Sequence, residues 1–218
     1  MLQRFLRFFF HLLYHSLAWA YDLVAAVVSL GRWNRWTHTA LDYLEGRRIL
    51  EMGYGTGHLM QTLLRRGYDA AGLDESRQMA IIAGRRLRRS LGKDAGLPLV
   101  RAVGAAIPFP PETFDTVVAT FPAPYIGAPE TLAEIQRVLR PGRRLVIVLA
   151  AYHTGRSLLE RAQAWVFRVT GESPRFDPTL RERLLALFEH SGLKPQIEWR
   201  EGHKEHILLV FARKPGKL

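Results

Sequence analysis

Two acids and three glycines raise the first chemical question. In EMGYGTGH, Glu51 to His58, glycines 53, 55 and 57 alternate directly behind the run RILEM. A glycine-rich turn between a strand and a helix lets backbone N–H groups approach a ligand, because glycine adopts positive φ with no Cβ in the way. Two ligand classes suit such a turn. A dinucleotide needs G-x-G-x-x-G/A, with its pyrophosphate on the helix N-terminus. Here the last motif position is His58, too bulky for that approach. Glu51 stands two residues before the first glycine, where its charge would repel a pyrophosphate. The same carboxylate suits an ammonium group, so the turn favours a zwitterionic, amino-acid-bearing nucleoside. Asp74, 21 residues after Gly53, ends the next apolar run and is placed to accept both hydroxyls of a ribose. Nicotinamide cofactors use an acid in the same way, so Asp74 alone does not discriminate.

These residues need a scaffold that gathers strand ends. From Arg47 onward short apolar runs alternate with helical patterns. RILEM, YDAAGLD, LPLVRAV, TFDTVVATF and RRLVIVLAA read as strands. HLMQTLLRRG, SRQMAIIAGRRLRRSLG and APETLAEIQRVLRPG read as helices, the last stopped by Pro141-Gly142. That alternation predicts an α/β, doubly wound, largely parallel sheet. Ligands of such sheets sit beyond the strand C-termini, where strand order reverses. After Ala151 the rhythm changes. GRSLLERAQAWVFRVTG is amphipathic, and a further helix starts at Asp177-Pro178, a good cap and first-turn pair. LKPQIEWREGHKEHILLVFARKP then reads as two strands joined near Glu201-Gly202, close enough to require antiparallel pairing.

The first 21 residues contain no acid. Arg4, Arg7, His11 and His15 make one polar stripe of a helix, with Phe5, Phe8, Phe9, Leu12, Leu13 and Leu17 on the other side. The longest uncharged run, Phe8 to Tyr21, has 14 residues, short of the roughly 20 that span a bilayer. A signal peptide is weighed, from the early arginines and Ala18-Trp19-Ala20, but the unbroken polar stripe argues against it. Two readings remain: a lid over the core, and a helix lying in a membrane interface. Trp33 and Trp36, three apart on a further short helix, read as packing. Lys plus Arg is 31 against 20 acids, a formal net charge of +11. The excess suits anionic lipid heads, nucleic acid or simple solubility. Its clustered part, Arg85, Arg86, Arg88, Arg89 and Lys93, reads as a solvated helix end that suits the helix dipole. The chain has no cysteine, which excludes disulfides, thiolate catalysis and cysteine zinc sites. No metal site and no oligomer is read from the sequence.

ILEMGYGTGHL, GLDESRQM, IPFPPETFDTVVATF and EIQRVLRPGRRLVIV, in this order and spacing, resemble the class I S-adenosylmethionine-dependent methyltransferases. The small-molecule group typified by the ubiquinone and menaquinone methyltransferases is most similar. The resemblance covers Ile49 to Ala150. It implies a Rossmann-like, mostly parallel seven-stranded sheet with an antiparallel C-terminal hairpin strand, an N-terminal helical lid over residues 1–46, and a methyltransferase domain over 47–218. It implies S-adenosyl-L-methionine as cofactor. By position, Glu51 would lie near the methionine amino group, and Gly53, Tyr54, Gly55 and Gly57 would form the turn under methionine and ribose. Asp74 would hold the ribose hydroxyls. Glu75 and Met79 would flank the adenine, Ala105 and Ala106 would line its edge, and Thr120 and Phe121 would lie under the transferable methyl. Three positions depart from the family pattern. Tyr54 replaces a small residue, Val103 stands where many relatives carry an Asp that meets the adenine amine, and Phe121 to Tyr125 (FPAPY) is not the Asn/Asp-Pro-Pro-Tyr box of nucleic-acid and protein amino-group methyltransferases.

Methyl transfer from a sulfonium is an in-line displacement that needs alignment and water exclusion more than a dedicated catalytic group. Candidate bases or positioners are Tyr125, His153 and Tyr21, with His38 and Tyr152 behind them. The basic, aromatic N-terminus predicts a hydrophobic or amphiphilic acceptor, lipid-like or quinone-like, reached by peripheral membrane contact through residues 1–20. That puts the chain in the cytoplasm, at the inner face of the membrane. No RNA-binding appendage is evident, so nucleic acid is not the expected acceptor. Two other function classes stay open: a non-catalytic Rossmann-like binding module, and a nicotinamide-dependent oxidoreductase, which Glu51 and His58 disfavour.

Overall fold

A computed structural model describes residues 29, 31–93, 95–153, 178–202 and 205–216. The N-terminal amphipathic stretch and the one after Gly155 lie outside the described residues. Seven strands form one sheet: β1 (Arg48–Met52), β2 (Asp69–Asp74), β3 (Leu99–Arg101), β4 (Phe114–Thr120), β5 (Leu139–His153), β6 (Lys194–Glu201) and β7 (Glu205–Arg213). Their order is β3-β2-β1-β4-β5-β7-β6. Strands β1 to β5 pair in parallel, and β7 runs antiparallel to both β5 and β6. This is the expected Rossmann-like sheet, with a single reversed strand supplied by the C-terminal hairpin. Strand order reverses between β1 and β4, so the crevice of a doubly wound fold lies at their C-terminal ends.

The described helices are α1 (Trp33–His38), α2 (His58–Arg65), α3 (Arg77–Leu91), α4 (Pro129–Val138) and α5 (Pro178–Ala186). Strand side chains alternate between faces, and both faces are covered, as parallel strands require. Ile49, Val118, Val146 and Val148 pack with Trp36, Met60, Leu63, Met79, Ala83 and Leu87, which puts α1, α2 and α3 on one face. Leu50, Val117, Leu145 and Ile147 pack with Leu132, Ile135 and Val138 of α4 on the other. Each such fully buried aliphatic side chain contributes roughly 1.5–3 kcal/mol. By the same alternation Glu51 shares the α1–α3 face with Ile49.

Two sequence boundaries shift. The helix expected to run to Gly142 ends at Val138, and Leu139 already pairs with Phe114. Pro141 disfavours helical backbone at Arg140. The register then slips, so that Thr116 meets Arg144, with Gly142 at φ +74° in the slip. Strand β3 is three residues, inside the expected LPLVRAV. Helix α3 begins just after Asp74 and runs 15 residues. Its exposed Arg85, Arg88 and Arg89 therefore sit at the far end of the sheet from Asp74, about 20 Å along the helix axis. There Arg65 Nε donates to Ser90 Oγ at 2.7 Å, and Arg88 donates to the Lys93 carbonyl at 2.9 Å. The basic cluster is a helix end remote from the crevice. Among the described residues no helix is long and apolar enough to cross a membrane.

Candidate active site

The crevice is built around the turn after β1. Gly53, Gly55 and Gly57 take φ of +71°, +52° and +83°, a region that side-chain-bearing residues rarely enter. Backbone bonds fix the turn from both sides. The Gly53 N–H donates to the Leu73 carbonyl at 2.7 Å, and the Gly57 N–H to the Tyr54 carbonyl at 2.9 Å. Asp74 completes the tie from the end of β2. Its Oδ2 accepts from the Gly55 N–H and its Oδ1 from the Ser76 N–H, both at 2.9 Å. Ser76 in turn caps α3 by accepting from the Met79 N–H at 3.3 Å. Asp74 and the glycine turn thus form one hydrogen-bonded unit.

Glu51 is 2% exposed, and its Oε2 has no hydrogen-bond partner. Burial, then the nearby Asp74 carboxylate, pushes its pKa well above the usual carboxylate range, against the opposing pull of the Met60 N–H. A buried acceptor left unmatched costs about 1–3 kcal/mol. Such an oxygen, on a residue that lines a cleft, suits a cationic N–H donor. The cleft is lined by Glu51, Gly53, Tyr54, Gly55 and Thr120 among the sequence-predicted residues. Trp33, Thr37 and His58 also line it, and sequence reasoning did not place them there. His58 had a readable signal, since the first residue of a helix behind a glycine turn faces the same space as the turn.

Tyr54 is accommodated by a second glycine. Its ring lies over β2 at Gly72, where an added Cβ would come within 2.8 Å of Tyr54 Cδ1. The side chain is 3% exposed and its hydroxyl has no partner. Burial and the charges of Asp74 and Glu51 push the phenol up to about 12. Tyr125 also reaches the turn. Its hydroxyl lies 3.0 Å from where a Cβ of Gly53 would be. Burial, followed by Asp74, Glu75 and Glu51, raises its pKa, so at neutral pH it is a phenol and not a phenolate.

Phe121, at the end of β4, has φ +48°, and its N–H donates to the Val148 carbonyl at 2.8 Å. Its ring stacks on Trp33 with centroids 4.4 Å apart and 29° between planes. Glu75 is exposed on the turn after β2, and its carbonyl accepts from the Arg101 guanidinium at 3.3 Å. Ala105 and Ala106 are exposed beyond β3, beside the exposed Val103. Met79, expected as an apolar cover, is fully buried in the core with Ala83 and Leu87 and does not line the cleft. Its position on α3 has the parity of those core residues, which pulls it under the helix. His38 does not line the cleft either. Its Nε2 lies 3.0 Å from Thr62 Oγ1, joining α1 to α2, and burial followed by Arg66 and His58 lowers its pKa. Tyr21 lies outside the described residues, as do the side chains of Tyr152 and His153, whose backbones end β5.

A methyltransferase-domain family model matches residues 49–142. The demethylmenaquinone methyltransferase of Thermobifida fusca is 30% identical over 196 residues, covering 85% of this chain and 82% of its own. That of a Mycobacterium species is 29% identical over 224 residues, 94% of each chain. The ubiquinone/menaquinone biosynthesis C-methyltransferase of Roseobacter denitrificans is 31% identical over 140 residues, 62% of this chain and 56% of its own. Among solved structures, a SAM-dependent methyltransferase from Methanosarcina mazei superposes with a TM-score of 0.55 at 20% identity, covering 82% of this chain and 98% of its own. Geranyl diphosphate C-methyltransferase from Streptomyces coelicolor, bound to Mg²⁺, geranyl diphosphate and S-adenosyl-L-homocysteine, gives 0.59 at 17%, covering 83% and 78%. These two structures share the fold. The sequence relatives carry the assignment further, to S-adenosylmethionine as cofactor and methyl transfer as reaction, and set the nicotinamide alternative aside. The chain belongs to the class I S-adenosylmethionine-dependent methyltransferases, in their quinone-methyltransferase group.

Proposed function

We propose that this methyltransferase acts on a small hydrophobic, quinone-like acceptor, and that its cofactor is seated on the β1–β2 unit. The single observation that carries the seat is the unpartnered, buried Oε2 of Glu51, a residue that lines the cleft beside a turn of three positive-φ glycines. The residues fit the cofactor's polar end. Glu51 takes the ammonium, relieving an unmatched acceptor. Gly53, Tyr54, Gly55 and Gly57 pass beneath methionine and ribose, and Asp74, held in place by the Gly55 and Ser76 N–H groups, takes the ribose hydroxyls. Glu75, Ala105 and Ala106 border the adenine from the turns after β2 and β3. When bound, the cofactor supplies a methyl group on an already positive leaving group.

The chain's own residues then have three tasks. Thr120 and Phe121 shape the floor at the end of β4. Trp33 and Thr37 close the cleft to water, which strengthens every electrostatic contact inside it. Tyr125 keeps its proton and positions or donates to an acceptor oxygen. The demethylmenaquinone and ubiquinone/menaquinone names of the relatives support a quinoid acceptor. The same reading takes residues 1–46 as a cap on a methyltransferase domain of 47–218 in the cytoplasm. It takes residues 1–20 as the membrane-facing part, with Arg4 and Arg7 at lipid heads.

Calorimetry with S-adenosylhomocysteine and with NAD, followed by turnover with a demethylated naphthoquinol, tests the reading. Binding of the first alone with turnover supports it. Binding without turnover on any acceptor favours a non-catalytic module. Removal of residues 1–20 is expected to abolish binding to anionic liposomes, and unchanged binding sinks the membrane part.

A further inference from the structure

The wall of the cleft made by α1 is assembled from three distant pieces of chain. Helix α1 is six residues long, too short to hold its own orientation without tertiary contacts. One buried carboxylate holds it. Glu205, the first residue of β7 and 7% exposed, accepts from Trp36 Nε1 through Oε2 at 2.9 Å. Its Oε1 lies 3.2 Å from Arg35 NH2. At the other end of the helix, Ser29 Oγ accepts from the Trp33 N–H at 2.9 Å. Trp36 is 1% exposed, so the latch lies in the core. Trp33, three residues earlier on the same helix, is turned onto Phe121 and lines the cleft beside Thr120. Trp36 backs the same phenyl ring at 6.3 Å. Phe121 holds a positive φ that a bulky side chain avoids unless its surroundings over-determine it.

An indole stacked on a phenyl ring gives the cleft a flat aromatic wall. Such a wall favours a flat π-rich ring by offset stacking and offers much less to a branched aliphatic chain. We propose that Trp33 is a specificity-determining residue that packs against the acceptor's ring, and that Glu205 is a positioning residue that sets Trp33 through Trp36 and Arg35. The proposal rests on the quinoid-acceptor reading above. It places acceptor choice on α1 and β7, apart from the glycine turn.

The test uses the full chain, with menadione as a ring probe, a demethylated naphthoquinol as substrate and S-adenosylhomocysteine as cofactor probe. For Trp33→Ala the acceptor KM rises about tenfold while the S-adenosylhomocysteine Kd stays within about twofold. Trp33→Phe, which keeps a ring, recovers most of the loss. Menadione quenches tryptophan fluorescence in the wild type, and Trp33→Phe removes most of that quench. Glu205→Ala raises the acceptor KM about fivefold with kcat nearly unchanged, and Glu205→Gln, which still accepts from the Trp36 indole, restores most of it.

Several results overturn the proposal. A Kd for S-adenosylhomocysteine that rises with KM in Trp33→Ala moves Trp33 into the cofactor seat. An unchanged KM in Trp33→Ala removes it from acceptor choice. A Glu205→Ala loss that tracks melting temperature without rescue by Gln leaves Glu205 a structural residue only. Cofactor binding without any menadione quench refutes the aromatic wall while leaving the cofactor reading intact, whereas no S-adenosylhomocysteine binding by the wild type refutes the reading beneath it.

Discussion

The two sides of the cleft are held by different kinds of bond. The β1–β2 side is fixed mainly by backbone bonds, Gly53 to Leu73 and Gly57 to Tyr54, with one side-chain tie, the Asp74 carboxylate accepting from the Gly55 and Ser76 N–H groups. The α1 side is fixed by side chains: the Trp33–Phe121 stack, and the Trp36 and Arg35 contacts to Glu205. Backbone bonds survive most side-chain exchanges, so the first side can present a constant geometry to a constant ligand. Side-chain latches change with single substitutions, so the second side can be retuned without disturbing the first. A chemistry that uses one methyl donor and many acceptors needs that division.

Glu51 offers the strongest test of the division. Replacing it with Ala is expected to weaken S-adenosylhomocysteine binding about hundredfold, the worth of a charge-assisted hydrogen bond in a buried site. The menadione quench should persist. Loss of both together would show the two sides to be one unit. Glu51→Gln should bind nearly as poorly, because the amide keeps the side chain's shape but not the charge that meets the ammonium.

The pH dependence follows from the same residue. Its folded-state pKa is raised by burial and by Asp74, so between the unfolded value and the raised one the folded chain binds more protons than the unfolded chain. Glu51 therefore contributes stability at low pH that is lost as pH rises from its unfolded pKa through its folded pKa. Ligand affinity moves the other way, because an ammonium prefers the ionised carboxylate. Calorimetry in buffers of different ionisation enthalpy should detect proton release on S-adenosylhomocysteine binding, and Glu51→Gln should abolish it. Equal heats across buffers in the wild type would place the carboxylate already ionised.

Gly72 probes the rigidity of the first side. A Cβ there would lie 2.8 Å from Tyr54 Cδ1, 3.1 Å from Leu99 and 3.2 Å from Met60. Gly72→Ala should destabilise the fold by about 1–3 kcal/mol through overpacking. In the background of Tyr54→Ala the same change should cost distinctly less. Additive losses in denaturant melts would mean that Tyr54 does not dictate the glycine. On the second side, Trp36→Phe keeps a ring but leaves Glu205 Oε2 without its indole donor, a cost of about 1–2 kcal/mol. It should raise the acceptor KM without moving cofactor affinity.

The same contrast explains which parts were legible in the sequence. The bonds that fix the β1–β2 side lie within one stretch, Glu51 to Ser76. Short apolar runs, alternating glycines and an acid at each strand end could be read there by spacing alone. The doubly wound, largely parallel sheet followed from β–α alternation, and its seven strands from the family resemblance. The α1 wall joins Trp36 to a residue 169 positions away, and no local pattern announces such a pair. Hence two tryptophans at helical spacing read only as packing, which is right for Trp36 and incomplete for Trp33. The family resemblance put Met79 beside the adenine, and its place on the same helical face as Ala83 and Leu87 buries it completely.

The smallest predicted effect concerns Tyr54, the departure that made the glycine turn unusual. Its hydroxyl is buried without a partner, and its phenol is pushed up to about 12, so it stays protonated across the working range. Tyr54→Phe removes one unmatched polar group while keeping the ring on Gly72. Folding stability should therefore hold or rise by less than about 1 kcal/mol. If the hydroxyl serves the methionine end of the cofactor, the same variant weakens S-adenosylhomocysteine binding by about threefold to tenfold and leaves the acceptor KM alone. A stable variant with unchanged Kd would make Tyr54 a space-filler fitted to Gly72. A change in acceptor KM alone would carry its hydroxyl across to the α1 side and blur the line between backbone-held seat and side-chain-held wall.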